Sequence, residues 1–573
     1  MAKGGSFLIT ETQPADVFTP EDFTTEQKMV AKMTEEFVKE QVWPVLAEIE
    51  EHQFSHTVRL LKEAGELGLL GADVPEAFDG LDLDKISSTL ITEKMALARS
   101  FALSHGAHVG IGTLPIVFFG NHAQKQTYLP DLASGKKLAA YALTEPGSGS
   151  DALGAKTTAV LNQAGTHYIL NGEKQWITNS AFADLFIVYA KVDGDKFTAF
   201  IIERDFPGVS TGAEEKKMGI KGSSTRTLIL QDAQIPVDNV LGEIGKGHRI
   251  AFNILNLGRY KLAAGTLGSA KRAIEISKQY ALERKQFGIP IAQFGLIREK
   301  LANMQVQTFA LESMVYRIAG LFEQGLSSIE QSDGASVAKS IHEWAIECSL
   351  AKVFGSETLD YVVDEGVQIH GGYGFMQEYE IENMYRDSRI NRIFEGTNEI
   401  NRLIIPGTLL KKALSGQLAL MAAVSDLTKE IMNYAPSLDQ DTDHLAVIEK
   451  IVTNSKKIFL LVAGTAVDRY REKIDREQEV LRDLADMVTL VFALESAYLR
   501  TKKNPDEAKE ILTLAFAFDT KEKIDRAARH ALSAIFTGDE LTTHLAILRR
   551  YNRVKPINEV EVKREIAKLM LKI

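Results

Sequence analysis

Apolar positions recur at helical spacing early in the chain, break into short β-type runs in the middle, and return to helical spacing for the rest. From about Glu26 to Leu132 the pattern is helical. Phe37, Val38, Val42 and Val45 fall at helical spacing, and turn signals such as Asp79-Gly80 separate the segments. Between about Ala139 and Gly247 the texture changes. Leu185 to Ala190 and Phe197 to Ile202 are apolar runs split by Asp193-Gly194, and Thr227 to Leu230 is another. Tyr168-Ile169-Leu170 leads into Asn171-Gly172, a pair suited to two positive φ angles, which predicts a hairpin turn there. Such strands and tight turns predict an antiparallel sheet or barrel. From about Ala251 to Leu410 helices return, with Leu267, Ala270, Ile274 and Ala281 on one stripe. The last segment, about Lys411 to Ile573, is again helical, interrupted by Pro436 and the acidic stretch Asp439 to Asp443.

The order is therefore helix, sheet, helix, helix: a mainly α protein with a central β domain, unlike a βαβ nucleotide-binding fold. The expected domains are an N-terminal helical domain (1–138), a middle β domain (139–248), a helical bundle (249–410) and an extra C-terminal helical domain (411–573). A length of 573 residues agrees with three or four domains.

Composition is that of an ordinary globular chain, 45% hydrophobic and 25% charged. The net charge of -11 argues against nonspecific nucleic-acid binding, which runs on Lys and Arg. It leaves room for an anionic ligand at a local cluster such as Arg284-Lys285. The single cysteine, Cys348, excludes an internal disulfide and a thiolate metal cluster, and reads as a small buried residue on a helix. No metal site is expected. Met1 to Ser6 has neither a secretory apolar core nor a transit peptide's Arg-rich character. No unbroken run of about 18 apolar residues is found, so no membrane span is expected, and the default compartment is a reducing cytoplasm.

Gly147-Ser148-Gly149-Ser150-Asp151-Ala152 fits G-x-G-x-x-A, but Pro146 precedes it and Lys156 to Val160 after it reads as a strand. A dinucleotide fingerprint must open a helix, so that reading is rejected. A Gly/Ser loop still lets backbone N–H groups approach a phosphate or a flavin edge.

Tyr141 to Asp151, with the sequence YALTEPGSGSD, resembles the signature of the acyl-CoA dehydrogenase family. Trp176-Ile177-Thr178-Asn179 resembles that family's flavin-contacting strand, and Glu283 to Gly288 its helical Arg-x-x-Phe motif. Gln368 to Gly374 and Ile393 to Glu399 resemble the two remaining motifs, all in the family's order. The resemblance covers about Glu26 to Leu410. It implies FAD as cofactor and acyl-CoA as substrate, with Glu395 removing the α-proton while hydride passes to flavin N5. A carboxylate between Phe394 and Gly396 can be desolvated, which raises its pKa toward the working pH. The Glu395 N–H, in the family manner, binds the thioester oxygen, and Gly396 lets the chain pass close to the ligand.

The resemblance further implies that Thr178 donates to flavin N5, that Trp176 and Ile177 pack near the ring, and that Leu143, Thr144, Gly149 and Ser150 line its edge. Arg284 and Phe287 would meet the FAD pyrophosphate and adenine. Gln368, Gly371 and Gly372 would reach an FAD across a subunit boundary, and Thr397 and Glu399 would complete the site. Ser150, Asn256 and Arg259 fall at positions for the CoA part, although Asn256 stands where medium-chain members carry Asp.

Among the family's branches the chain is most similar to the very-long-chain enzymes, through Glu215 to Lys221, Phe294 to Leu301 and the extra C-terminal helices. That implies a homo-oligomer, by this branch's habit a dimer, an electron-transfer flavoprotein as acceptor, and peripheral contact with the inner face of a membrane. Ala102 and Gly106 stand where medium-chain enzymes close the acyl pocket with bulky polar groups; small residues there suit a longer chain or merely close helix packing. An acyl-CoA oxidase on the same fold and a respiratory-complex assembly factor of the same family are the competing readings. A flavin monooxygenase of this fold would lack the base.

Overall fold

Leu185 to Val192 (β4) and Lys196 to Glu203 (β5) are buried along almost their whole length, which requires cover on both faces. The computed structural model, which describes residues 3–329, 333–433 and 443–572, supplies both covers. Ile187, Tyr189, Ala199 and Ile201 pack against helical residues such as Ile250 and Ile254. Phe186, Val188, Phe200 and Ile202 point the other way, into a core within the sheet domain. Asp193-Gly194 closes the hairpin between these strands, with φ of 53° and 88°, as its chemistry predicts.

The remaining strands are β1 (Ala139–Ala142), β2 (Thr158–Leu161), β3 (His167–Thr178), β6 (Val209–Thr211), β7 (Thr225–Pro236) and β8 (Val240–Leu241). Together they make an eight-stranded sheet in the order β6-β7-β3-β2-β4-β5-β8, with β1 also against β4. The pairing is mainly antiparallel, but β1 and β2 both run parallel to β4, which the sequence did not predict.

Asn171-Gly172 does not turn. It lies inside β3, at a register shift opposite β7. The Asn171 side chain accepts from the Asp232 N–H (2.8 Å) and donates to Asp232 Oδ1 (3.1 Å), so the pair builds a β-bulge. The turn before β3 is made instead at Gly165, φ 69°.

Before the sheet, Thr24 opens the helix Thr25–Phe37 with a capping box. After it come three long helices, Gly247–Glu283, Gly295–Leu326 and Ala345–His370. Leu267, Ala270, Ile274 and Ala281 form the expected buried stripe. Beyond residue 414 the helices His444–Tyr470, Gln478–Lys503 and Glu507–Ile535 pack on one another, and the latter two on Gly295–Leu326. Asp443 caps the first of these through the Ala446 N–H (3.0 Å). Pro436 and the rest of the acidic stretch lie outside the described residues.

The membrane expectation needs one amendment. Among the described residues, Ser100–Phe119 is long and apolar enough to cross a bilayer, yet 72% of it is buried inside the fold. It runs as helix Ser100–Gly106, a π-helical turn Ala107–Gly112, and helix Leu114–Phe119. π-Turns of this kind gather at functional sites, and this one borders the cavity into which Glu395 points.

Candidate active site

Glu395 sits on a short loop between Arg389–Arg392 and the helix Asn398–Leu414. It has φ 57° and the following Gly396 has φ 80°. Left-handed backbone at a bulky residue persists only where its surroundings enforce it. Here three successive carbonyls of the loop are engaged. Arg259 donates from Nε to Glu395 O (3.1 Å), Lys352 from Nζ to Gly396 O (2.7 Å), and Asn401 from Nδ2 to Gly396 O (2.9 Å) and Thr397 O (3.0 Å). Thr397 caps the next helix by accepting from the Ile400 N–H (3.3 Å).

The carboxylate itself points into a cavity and its Oε2 is buried without a hydrogen-bond partner. Burial pushes Glu395 up to about 7, against the pull of Arg259 and Lys352. Gly258 faces it: a β-carbon there would stand 2.6 Å from Glu395 Oε2 and would push the carboxylate from its present place.

From Glu395 the cavity follows one stripe of the helix Gly247–Glu283, past Gly258, Leu262, Gly265 and Ser269 to Arg272. At 1.5 Å per residue that stripe is about 21 Å long. The opposite wall carries Ala102, Leu103, Gly106, Val109 and Gly110, and Met95, Leu97, Leu359, Met384 and Phe394 complete an apolar lining. Gly106 has open space where a side chain would stand. On the wall, Lys261 pairs with buried Asp73 (2.6 Å), and burial holds His105 neutral, down to about 3. Arg272 closes the far end in a two-pronged pair with Glu380 (3.0 and 2.7 Å).

Thr178 also lines this cavity. It ends β3, where a register shift between Lys174 and Ile177 turns Trp176 outward with φ 59° and 60% of its surface exposed. Trp176 is thus not a core residue, while Ile177 beside it is buried. The Gln175 N–H donates to Thr144 O (2.9 Å), joining this edge to the loop of Leu143 and Thr144. Buried Lys174 bonds Glu145 (2.7 Å) and Leu143 O (3.3 Å), and Glu145 accepts the Lys156 N–H (2.6 Å), so the loop is pinned from below. Gly149 and Ser150 stay exposed on it. The chain then passes through a short 3₁₀ turn, Ala152–Gly154, into strand β2, consistent with rejecting the dinucleotide fingerprint. An exposed indole beside exposed loop backbone, opening on the Glu395 cavity, fits the flat ring system of a flavin.

The other flavin-side residues form a second group away from this cavity. The Arg-x-x-Phe motif is not helical as expected. Arg284 ends the long helix, and Lys285–Gln286 pairs with Ile289–Pro290 in a small hairpin whose turn is Phe287 (φ 54°) and Gly288 (φ 81°). Two consecutive positive φ angles cannot continue a helix. Phe287 is 93% exposed. Arg284 stacks on Tyr373 (5.4 Å), which places it beside Gln368, Gly371 and Gly372 on the same exposed surface. Glu399, in the first turn of Asn398–Leu414, is exposed too.

Asn256 and Arg259, expected to meet the CoA part, are buried and face each other: Arg259 Nη1 donates to Asn256 Oδ1 (2.8 Å). Their hydrogen bonds go to the loop of the base and to one another, so the arginine is spent on protein groups here. Gly258, Lys352, Asn398 and Asn401 escaped the sequence reading. Lys352 did carry a signal, as a lone cation within the apolar run Leu350 to Phe354.

A helical frame around a mixed sheet carries a carboxyl group of raised pKa at the head of a long cavity with a largely apolar lining, an arrangement suited to acid–base work beside an apolar ligand. Profiles of the acyl-CoA dehydrogenase N-terminal, middle and C-terminal domains match residues 24–136, 140–233 and 245–410, and a second C-terminal domain profile matches 454–550. A probable acyl-CoA dehydrogenase of Bacillus subtilis is 61% identical over 99% of this chain and 97% of its own. The very long-chain specific acyl-CoA dehydrogenase of Rattus norvegicus is 34% identical over 82% of this chain and 75% of its own. A crystal structure of an acyl-CoA dehydrogenase complexed with FAD, from Bacillus anthracis, superposes with a TM-score of 0.97 at 60% identity, covering 100% and 99% of the two chains. The chain belongs to the acyl-CoA dehydrogenase family.

Proposed function

We propose that the chain oxidises a long-chain saturated acyl-CoA to the trans-2-enoyl-CoA, the first step of fatty-acid β-oxidation (EC 1.3.8.-), with Glu395 as the base. The observation that carries this is the Glu395 carboxylate, its Oε2 buried and unpaired, at the head of a channel of about 21 Å. One leaflet of a bilayer, filled by long acyl chains, is only about 15 Å deep.

When bound, FAD would supply the hydride acceptor, and Thr144, Trp176 and Thr178 would hold it. An acyl chain entering the channel displaces water from the lining and leaves the α-carbon beside Glu395. The desolvated carboxylate then takes the α-proton. Arg259, Lys352 and Asn401 hold the loop, so that little reorganisation accompanies the transfer. Ala102 and Gly106 leave the channel wall low.

The exposed group of Arg284, Phe287, Gln368, Gly371 and Gly372, with Leu296 (75% exposed) and Phe375 (76%) among the exposed residues, supports a homodimer in which this surface meets a neighbour's FAD. An electron-transfer flavoprotein as acceptor and peripheral contact with a membrane follow the habit of the very-long-chain branch, and a cytoplasmic compartment is the proposal that accompanies them.

The test is anaerobic stopped-flow bleaching of the flavin across a series of acyl-CoA lengths. Rates rising beyond the medium-chain range are expected, since each buried CH₂ adds about 0.8 kcal/mol of binding. A maximum at short chains would overturn the chain-length reading.

A further inference from the structure

Glu395 and Gly396 are consecutive left-handed residues, and the groups that hold them come from three different helices. Arg259 reaches in from Gly247–Glu283, Asn401 from Asn398–Leu414, and Lys352 from Ala345–His370. Lys352 is the outlier in kind. It is fully buried on a helix whose neighbouring positions are Ala351, Val353 and Phe354. A buried ammonium is costly unless its donors are used. Its Nζ donates to Gly396 O and to Asn398 Oδ1, each at 2.7 Å. Asn398 in turn donates to Ser356 Oγ (3.0 Å) and Glu357 Oε1 (3.0 Å), so loop and first turn are closed onto one helix. A neutral side chain could make the bond to Gly396 O; an ammonium adds charge next to the base.

We propose that Lys352 is a positioning residue for the dehydrogenation, tying the Gly396 carbonyl and the Asn398 side chain to the Ala345–His370 helix and so fixing Glu395 at the head of the channel. The proposal rests on the reading of Glu395 as base. It implies two separable contributions, a geometric one through the hydrogen bonds and an electrostatic one through the charge. The groups facing Glu395 are Arg259 from one helix, Lys352 from another and Tyr141 from β1. Lys352 is itself faced by Arg259, Glu357 and Glu399. Removing its ammonium leaves Arg259 as the cation beside the base, and the carboxylate then holds its proton more tightly.

The experiment uses the full-length, FAD-loaded enzyme carrying Lys352→Met, Lys352→Gln or Lys352→Arg, with Glu395→Gln alongside. Flavin bleaching by a saturated long-chain acyl-CoA is followed against pH, with FAD content and thermal unfolding measured on each variant. Lys352→Met should slow bleaching at neutral pH by about tenfold or more, the scale on which sub-ångström misplacement acts. It should also move the pH midpoint upward by about 0.5–1 unit. Lys352→Gln keeps a donor without charge, so it should move the midpoint similarly with a smaller loss of rate, and it decides the matter if Lys352→Met does not fold. Lys352→Arg should keep the wild-type midpoint. A midpoint unmoved in Lys352→Gln, beside an inactive Glu395→Gln, overturns the proposal alone. Bleaching that survives Glu395→Gln overturns the base and the proposal with it.

Discussion

At the level of single residues, Glu395 carries two costs at once, a left-handed backbone worth about 1–3 kcal/mol and a carboxylate deprived of solvent. Its pKa of about 7 in the folded protein lies above the ordinary 4.5. The folded state therefore binds the proton more tightly. The resulting stability is complete below 4.5 and is lost as pH rises through about 7. Glu395→Gln should thus abolish flavin reduction, by at least 10²–10⁴-fold, and unfold about 1–3 kcal/mol harder than wild type at pH 8 but not at pH 4. Thermal or denaturant melts at the two pH values check this; equal shifts at both would show that the carboxylate is not desolvated. Glu395 was legible in the sequence because its motif brackets it. Its supports were not. Gly258 reads as a weak spot in a helix until the carboxylate is seen against it, and Lys352 stands out only as a cation within an apolar run, with nothing in the sequence to name the loop it holds.

Among the elements, local chemistry predicted only the features that it alone decides. Asp193-Gly194 turns because β4 and β5 pair directly across it, residue for residue. Asn171-Gly172 has the same preference, but β3 continues through it, since β7 pairs on both sides and Asp232 satisfies the Asn171 side chain. The Arg284 to Gly288 motif failed in the opposite sense: helical spacing upstream said nothing of a hairpin begun by Phe287. Parallel pairing of β1 and β2 with β4 is a long-range property with no local signature. The channel wall is another element-level feature. Because a side chain at Gly106 meets open space, Gly106→Glu should fold normally and shorten the preferred acyl chain. Chain-length profiles of variant and wild type measure it, and superimposable profiles would remove this wall from the specificity of the enzyme.

Across the whole molecule, the C-terminal helices are joined to the dehydrogenase frame by buried charge as well as by apolar contact. Arg500 binds Glu21 (2.9 Å) and Glu312 (2.7 Å), and Arg317 binds Glu495 (2.8 Å), so helix Gln478–Lys503 meets both the N-terminal segment and Gly295–Leu326 through ion pairs. Phe7 packs edge-on against Phe492 on the same seam. Such pairs punish a misplaced partner more than they reward a correct one. The helix Ala345–His370 is central to this frame: Glu347 receives the Gly5 N–H (2.8 Å) at one end and Lys352 reaches the Glu395 loop further on. Between them lies Cys348, the chain's single thiol, fully buried, with its ionisation pushed far up by burial. That thiol is a clock already built into the enzyme. A maleimide or disulfide reagent has no target until this helix opens, so the rate of its modification reads the opening of the catalytic frame without any introduced label. Modification should be slow in native protein, complete in denaturant, and slower still once FAD and an acyl-CoA are bound. Prompt, stoichiometric labelling of the ligand-free enzyme would mean that the helix behind the base breathes on the timescale of the reagent.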